Sequence, residues 1–301
     1  MTRATLANLL GYVIAVTLAL AAVAGVDPAR QTAVAAASAA PVIDRRGNPV
    51  PAGDYRRIVS LTILSDPIVL ELVEPERLVA ACRWSSGPLA FRLGSRPRIG
   101  SAQEIEAILA VRPDLVIAAS SAPDPHLDRL RAAGIAVYDT GDLDGWSTCV
   151  RVTRDLGRLL LVENRAEALL DRCQRRLAAV AAQPPALRRR GVYVGIIQDR
   201  VFGGTVGTAY HDVLTGAGLL DAAAESFHGW PQYSIENLLA LDADVIVTDL
   251  GQAAALRRLP GADRLRATVI ELPGDLLQDP GLLIVDAVER LHERVRALDA
   301  R

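Results

Sequence analysis

The 301 residues carry 33 basic and 35 acidic side chains, a net charge of −2, and half of them are apolar. A chain of this length builds two domains of ordinary size, and its near-neutral balance offers no basic field for nucleic acid. Every basic residue is Arg, which excludes a P-loop lysine, a pyridoxal Schiff base and any lysine nucleophile.

The chain opens with Arg3 and an uncharged apolar run over 9–26, followed by an Ala-rich stretch over 33–40 that can bury little. Residues 1–40 read as an export signal and tether, with small residues for cleavage at 22–24 or at 37–40. An uncleaved anchor is the alternative, since the run only just spans a bilayer of ~30 Å hydrocarbon. No Cys lies in or just after it, which rules out lipid attachment through an N-terminal Cys. Export would place Cys82, Cys149 and Cys173 in an oxidising compartment. A bridge, if formed, is expected between Cys82 and Cys149; the other reading is three buried small apolar residues.

An N-terminal α/β lobe is expected over 41–143. A strand at 57–64 leads to Ser65-Asp66-Pro67, an N-cap with a proline in the first turn. Strands at 78–83, 99–101, 115–119 and 135–138 alternate with helices, the last ended by Gly134, and predict a mostly parallel sheet. Over 144–185 apolar residues recur at helical spacing through Val152, Leu156, Leu159, Leu169, Leu170, Cys173 and Leu177. That segment predicts stiff connecting helices, breakable at Gly157 or Glu163-Asn164. A C-terminal lobe over 186–301 begins with a strand at 191–198. A Gly-rich turn at 202–208, a helix at 209–215, a strand at 267–272 and a closing helix at 280–298 follow. GGTVGT fits neither phosphate-loop pattern, so the turn reads as a tight bend at a cleft rim.

One segment occurs twice: IEAILAVRPDLVI at 105–117 and IENLLALDADVIV at 235–247. Each is a short helix ending at an Asp, Asp114 or Asp244, that runs into an aliphatic strand. Glu106 and Glu236 occupy the same place in the two copies.

Taken in order, RIVSL, IEAILAVRPDLVI, LRAAGIAVY, the long central helix, AYHDVLTGAG, YSIENLLALDADVIV and the closing helix resemble the periplasmic binding proteins of ABC importers for iron chelates, haem and cobalamin. The resemblance covers roughly residue 44 to the C-terminus. It implies an α/β fold of two Rossmann-like lobes with mostly parallel sheets, joined by one long rigid α-helix, with the ligand in the cleft between them. It further implies a monomer without catalytic activity or resident cofactor. Its cargo would be a metal chelate (ferric siderophore, haem or cobalamin), and its partners an importer permease with its ATPase. Glu106 and Glu236 fall at the positions that dock on permease arginines.

Aromatics are few, so those on loops stand out as cleft candidates: Trp84, Trp230 and Tyr233. In the resembling cobalamin binders an aromatic at the Trp230 position lines the cleft. Arg83, Arg92 and Arg96 surround Trp84 and would suit an anionic chelate. Tyr210, His211 and His228 are candidate axial ligands for iron, while four scattered His argue against a naked-metal site. Two other classes remain: a membrane-tethered sensor or scaffold derived from such a binder, and an exported α/β enzyme such as a chelatase or sugar transferase. No GxSxG elbow and no convincing triad support the enzyme.

Overall fold

The computed structural model describes residues 40–198, 200–277 and 279–299; the expected export segment lies outside them. A small antiparallel pair, β1 (Val42–Ile43) and β2 (Pro49–Val50), precedes the first lobe. The lobe proceeds through β3 (Ile58–Ser60), α1 (Ser65–Leu72), β4 (Leu78–Cys82), α2 (Gly87–Leu93), β5 (Arg98–Ile99), α3 (Ile105–Ala110), β6 (Leu115–Ala118), α4 (Pro125–Ala132) and β7 (Ala136–Asp139). Its five strands run parallel in the order β5-β4-β3-β6-β7. The central strand β3 is shorter than its aliphatic run suggests, because residues 61–64 turn back. There the Thr62 hydroxyl accepts from the Ser65 N–H (2.9 Å), so the capping side chain is Thr62 and not Ser65.

The connecting helices are α5 (Trp146–Leu159) and α6 (Glu163–Ala181). They part at Leu161, which adopts a φ of 59°. The second lobe contains β8 (Arg190–Ile197), β9 (Arg200–Gly204), α7 (Ala209–Gly216), β10 (Leu220–Asp221), β11 (Gln232–Tyr233), α8 (Ile235–Ala240), β12 (Val245–Asp249), α9 (Ala253–Arg258), β13 (Thr268–Leu272), α10 (Gly274–Leu277) and α11 (Leu283–Asp299). Its sheet is mixed: β10, β8, β12 and β13 pair in parallel, whereas β9 and β11 are antiparallel. The start of the Gly-rich segment is therefore strand, and the turn begins only after Gly204.

The duplicated segment is duplicated in its bonding. Asp114 accepts from the Arg56 and Arg57 N–H groups (2.7 and 2.9 Å), and Asp244 accepts from the Arg190 N–H (2.7 Å). Each Asp therefore ties the strand it precedes to the first strand of its own lobe. Arg57 and Arg190 also cap the repeated helices, donating to the carbonyls of Val111 and Leu241. Arg112 and Asp242, at the same repeat position, both end their helices at a φ of 46°, a left-handed stop usually taken by glycine.

Helix α5 buries Cys149, Val152, Leu156 and Leu159 in one core with Leu64, Ile68 and Leu72 of the first lobe. The long helix α6 serves both lobes, adding Ala166, Leu169 and Cys173 to that core and Val180 to the other. Helix α11 does the same, with Val285 in the first and Val288, Leu291 and Val295 in the second. Arg176 of α6 binds Glu289 (2.8 Å) and Asp286 of α11, fastening the two shared helices together. These pairs are partly exposed, so the packing of α6 and α11 into both cores contributes more to their association than the charges do.

All three cysteines are buried and unbridged, so no Cys82–Cys149 disulfide forms. Cys82 ends a central strand whose amide is held by Asp66, and Cys149 faces Thr153 and Cys173 from α5. Burial pushes the Cys82 thiol up to about 11, which leaves it inert near neutral pH.

The lobes meet where the 279–281 turn packs against Leu64. Two carboxylic acids are buried at this seam. Asp66 accepts from the Cys82 N–H (3.0 Å) and the Ser85 hydroxyl (2.7 Å), and Asp279 accepts from the Gly281 N–H (2.5 Å). Burial pushes Asp66 up to about 6 and Asp279 up to about 7. The unfolded chain loses these protons near 3.8. The fold therefore keeps them where the unfolded state does not, and stability falls as pH rises from about 4 to about 7, then levels off. Asp279→Asn should raise the melting temperature at pH 8, leave it unchanged at pH 4 and remove about one proton from the intervening slope. A melting-temperature profile superimposable on that of the parent would refute this.

Candidate ligand cleft

Two large aromatics stand exposed beside the seam, one on each lobe. Trp84 follows β4 and is 69% exposed; Trp230 precedes β11 and is 63% exposed. Trp84 lines a cavity of about 80 Å³ together with Ile63, Ser85 and Leu89 of its own lobe and Asp275, Asp279 and Leu283 from across the seam. Such a space holds a few waters, so a larger ligand must use the open mouth beyond it. At the neighbouring contact, Gly145 at a φ of 100° lies against Ala209 and Asp212 of α7, and the Trp146 N–H donates to Asp212 (2.7 Å). The turn entering α7 therefore lies at this contact, and the loop that carries Trp230 is hydrogen-bonded to that turn through Gly229.

Backbone bonds fix the Trp230 loop. Pro231 O accepts from the Gly203 N–H (2.8 Å), Gly229 O from the Thr205 N–H (3.1 Å), and Val206 O from the Gly229 N–H (2.9 Å). Its ring meets Tyr210 edge-on, with centroids 5.2 Å apart and planes at 88°. Tyr210 in turn stacks on Tyr193 at 3.6 Å. Ile197 and Leu250, at the carboxyl ends of β8 and β12, are exposed apolar side chains of the same lobe, at the end of an α/β sheet where ligands bind.

The other candidates are placed differently. Tyr233 is buried, its ring against Gly203 and edge-on to Phe227 (5.1 Å, 83°), so it backs the Trp230 loop and presents no open face. Arg83 pairs with Glu104 (2.5 Å), which also accepts from the Gly100 N–H; Arg92 pairs with Glu71 (2.8 Å), which faces Arg172 of α6. Arg96 spends its guanidinium on the carbonyls of Leu78, Pro75 and Leu93. The arginines around Trp84 are thus committed to separate partners. His211 bonds Asp221 (2.8 Å), and His228 lies over Gly207. Tyr210 is shielded by Trp230 and Tyr193. Among the described residues no group of three or more His, Cys, Asp or Glu is arranged to hold a metal.

Glu106 and Glu236 are both exposed, each at the start of its repeated helix. Neither joins an ion pair among the described residues. The backbone at the start of α8 and the Ser234 hydroxyl hold the Glu236 carboxyl below the usual range, and Ser234 and Asn237 close a capping box around it.

A family model described as "Periplasmic binding protein" matches residues 58–270. The chain belongs to that family. Among curated relatives, an uncharacterized ABC transporter substrate-binding lipoprotein, YvrC of Bacillus subtilis, is 24% identical over 203 residues, 64% of each chain. A cobalamin-binding protein of Halobacterium salinarum is 26% identical over 223 residues, 72% of this chain and 57% of that one. The chain thus spans about three fifths of the length of these two relatives. Among solved structures, the periplasmic heme-binding protein BhuT with two hemes aligns with a TM-score of 0.69 and 25% identity, covering 81% of this chain and 98% of that one. The vitamin B12 binding protein BtuF of Vibrio cholerae aligns with a TM-score of 0.66 and 24% identity, covering 82% and 99%. Members of this family are solute-binding proteins, and no helix among the described residues is long and apolar enough to cross a membrane.

Sequence reasoning passed over Tyr193 and read the Gly203-Gly204 pair as part of a turn, whereas it lies in β9. Glycines inside a strand mark close approach, and here a Cβ on either would strike the ring of Tyr233 or Tyr210. Gly203→Ala should therefore destabilise the fold by about 1–3 kcal/mol and displace the Trp230 loop. Chemical denaturation followed by tryptophan emission measures both effects; an unchanged midpoint would argue against this packing.

Proposed function

We propose that the protein is an extracytoplasmic solute-binding protein that carries a metal chelate (ferric siderophore, haem or cobalamin) to the permease and ATPase of an ABC importer. It acts as a monomer, exported by its N-terminal segment, with the chelate as cargo and no catalysis or resident cofactor. The observation that supports this best is the pair of large exposed tryptophans, one on each lobe, with Trp84 at the seam cavity and Trp230 on a loop bonded to the turn entering α7. Apolar faces of that size suit a flat macrocycle or an aromatic chelate. Tyr233 serves as backing. Arg83 and Arg92, already engaged by carboxylates, contribute charge at the rim and no bidentate clamp. Names of relatives agree in class, since one is a cobalamin-binding protein and another structure holds hemes.

Titration with hemin, ferric siderophores and cyanocobalamin should quench tryptophan emission at micromolar concentration for one of them. Trp84→Ala or Trp230→Ala should weaken that ligand about 10-fold or more, in line with about 1.5–3 kcal/mol for a buried aromatic contact. If none of the chelates binds, the reading fails.

Glu106 and Glu236 are the docking posts. Each is exposed, acidic and at the same place in its lobe, which fits a permease surface carrying two matched basic sites. Glu106→Arg combined with Glu236→Arg should abolish uptake while leaving chelate affinity within two-fold, roughly the scatter expected of surface changes far from a site. Uptake at the parental rate would sink the assignment.

A further inference from the structure

We propose that Tyr210 is a positioning residue that holds Trp230 as a preformed platform for the ligand, with Tyr193 as its support. The proposal rests on the reading that ligand meets Trp230. An exposed indole on a loop has two free torsions, and immobilising it on binding costs about 0.5–1.5 kcal/mol. Here the loop is already pinned by the bonds to Gly203, Thr205 and Val206. What remains free is the ring, and Tyr210 is the aromatic side chain that it meets edge-on.

The support is layered. Trp230 meets Tyr210 edge to face, the arrangement in which the positive rim of one ring meets the negative face of another. The Tyr210 and Tyr193 rings stack within 16° of parallel, and the Tyr193 hydroxyl donates to Asp249 at the end of β12 (3.4 Å). Tyr193 lies on β8 and Tyr210 on α7, so the platform is fastened to the sheet and not to the loop alone. Gly204 makes the stack possible, since a Cβ there would enter the Tyr210 ring. An ordinary core tyrosine needs none of this alignment and would leave the exposed indole indifferent to it.

The test uses the full-length protein carrying Trp84→Phe and Trp146→Phe, so that Trp230 is the sole emitter among its three tryptophans. Time-resolved anisotropy of Trp230 should show only overall tumbling with Tyr210 in place. Tyr210→Leu should add a fast nanosecond wobble, and Tyr210→Phe should abolish it again. In the protein with all three tryptophans, cyanocobalamin and hemin are titrated separately. For whichever binds, Tyr210→Leu should weaken affinity about three- to ten-fold, as expected from the ordering cost, and Tyr210→Phe less than two-fold. A fast wobble of Trp230 with Tyr210 intact overturns the proposal even if Tyr210→Leu fails to fold. So does a Tyr210→Leu variant with the parental decay. If the wobble behaves as expected but Trp230→Ala binds both chelates with parental affinity, positioning stands and the ligand reading falls.

Discussion

In both lobes the carboxylate between the repeated helix and its strand also holds the strand where the lobe begins. Asp114 bonds the amides at the entrance of β3, and Asp244 bonds the amide that opens β8. These bonds sit beside the pairings Ile58 with Leu115 and Gly191 with Val245, and fasten each repeat's strand to the first strand of its lobe in register. The arginine that opens each strand reaches back to the carbonyls ending the helix. That clasp joins the end of the helix, the strand after it and the first strand of each lobe.

Once both lobes are set, α6 and α11 divide their apolar faces between them, and the relation of the lobes becomes a matter of core packing. Close-packed interiors do not deform continuously. A binding surface between such lobes gains little from wide closure and depends on what stands ready at its rim. Trp230, on a loop pinned by backbone bonds and backed by stacked tyrosines, is a side chain held ready in this way.

Much of this was legible in the sequence. The repeat marked both lobes and their matched glutamates because a helix-to-strand junction keeps its Asp and its aliphatic spacing. Rarity and a loop position singled out Trp84 and Trp230, and the family resemblance pointed to Trp230 as well. Arginine proximity in sequence was less informative: Arg83 and Arg92 lie nine positions apart on different elements, and each found a carboxylate that only the fold brings near. Tyr233 looked like a loop aromatic but is paired into β11, where alternation turns its ring inward over Gly203. The antiparallel hairpin was hidden because a strand with two glycines reads as a turn until the rings that fill those gaps are known. Cysteine pairing was suggested by compartment, yet each thiol was already occupied by a separate packing role.

The seam between the lobes is closed by glycines. Gly87, at a φ of 58°, lies against the Asp275 carboxylate, and Gly145 lies against α7. A side chain at either point would act as a shim, forcing the Asp275 carboxylate or the start of α7 aside. The fit of these elements across the seam is thus encoded in two residues that have no side chain at all.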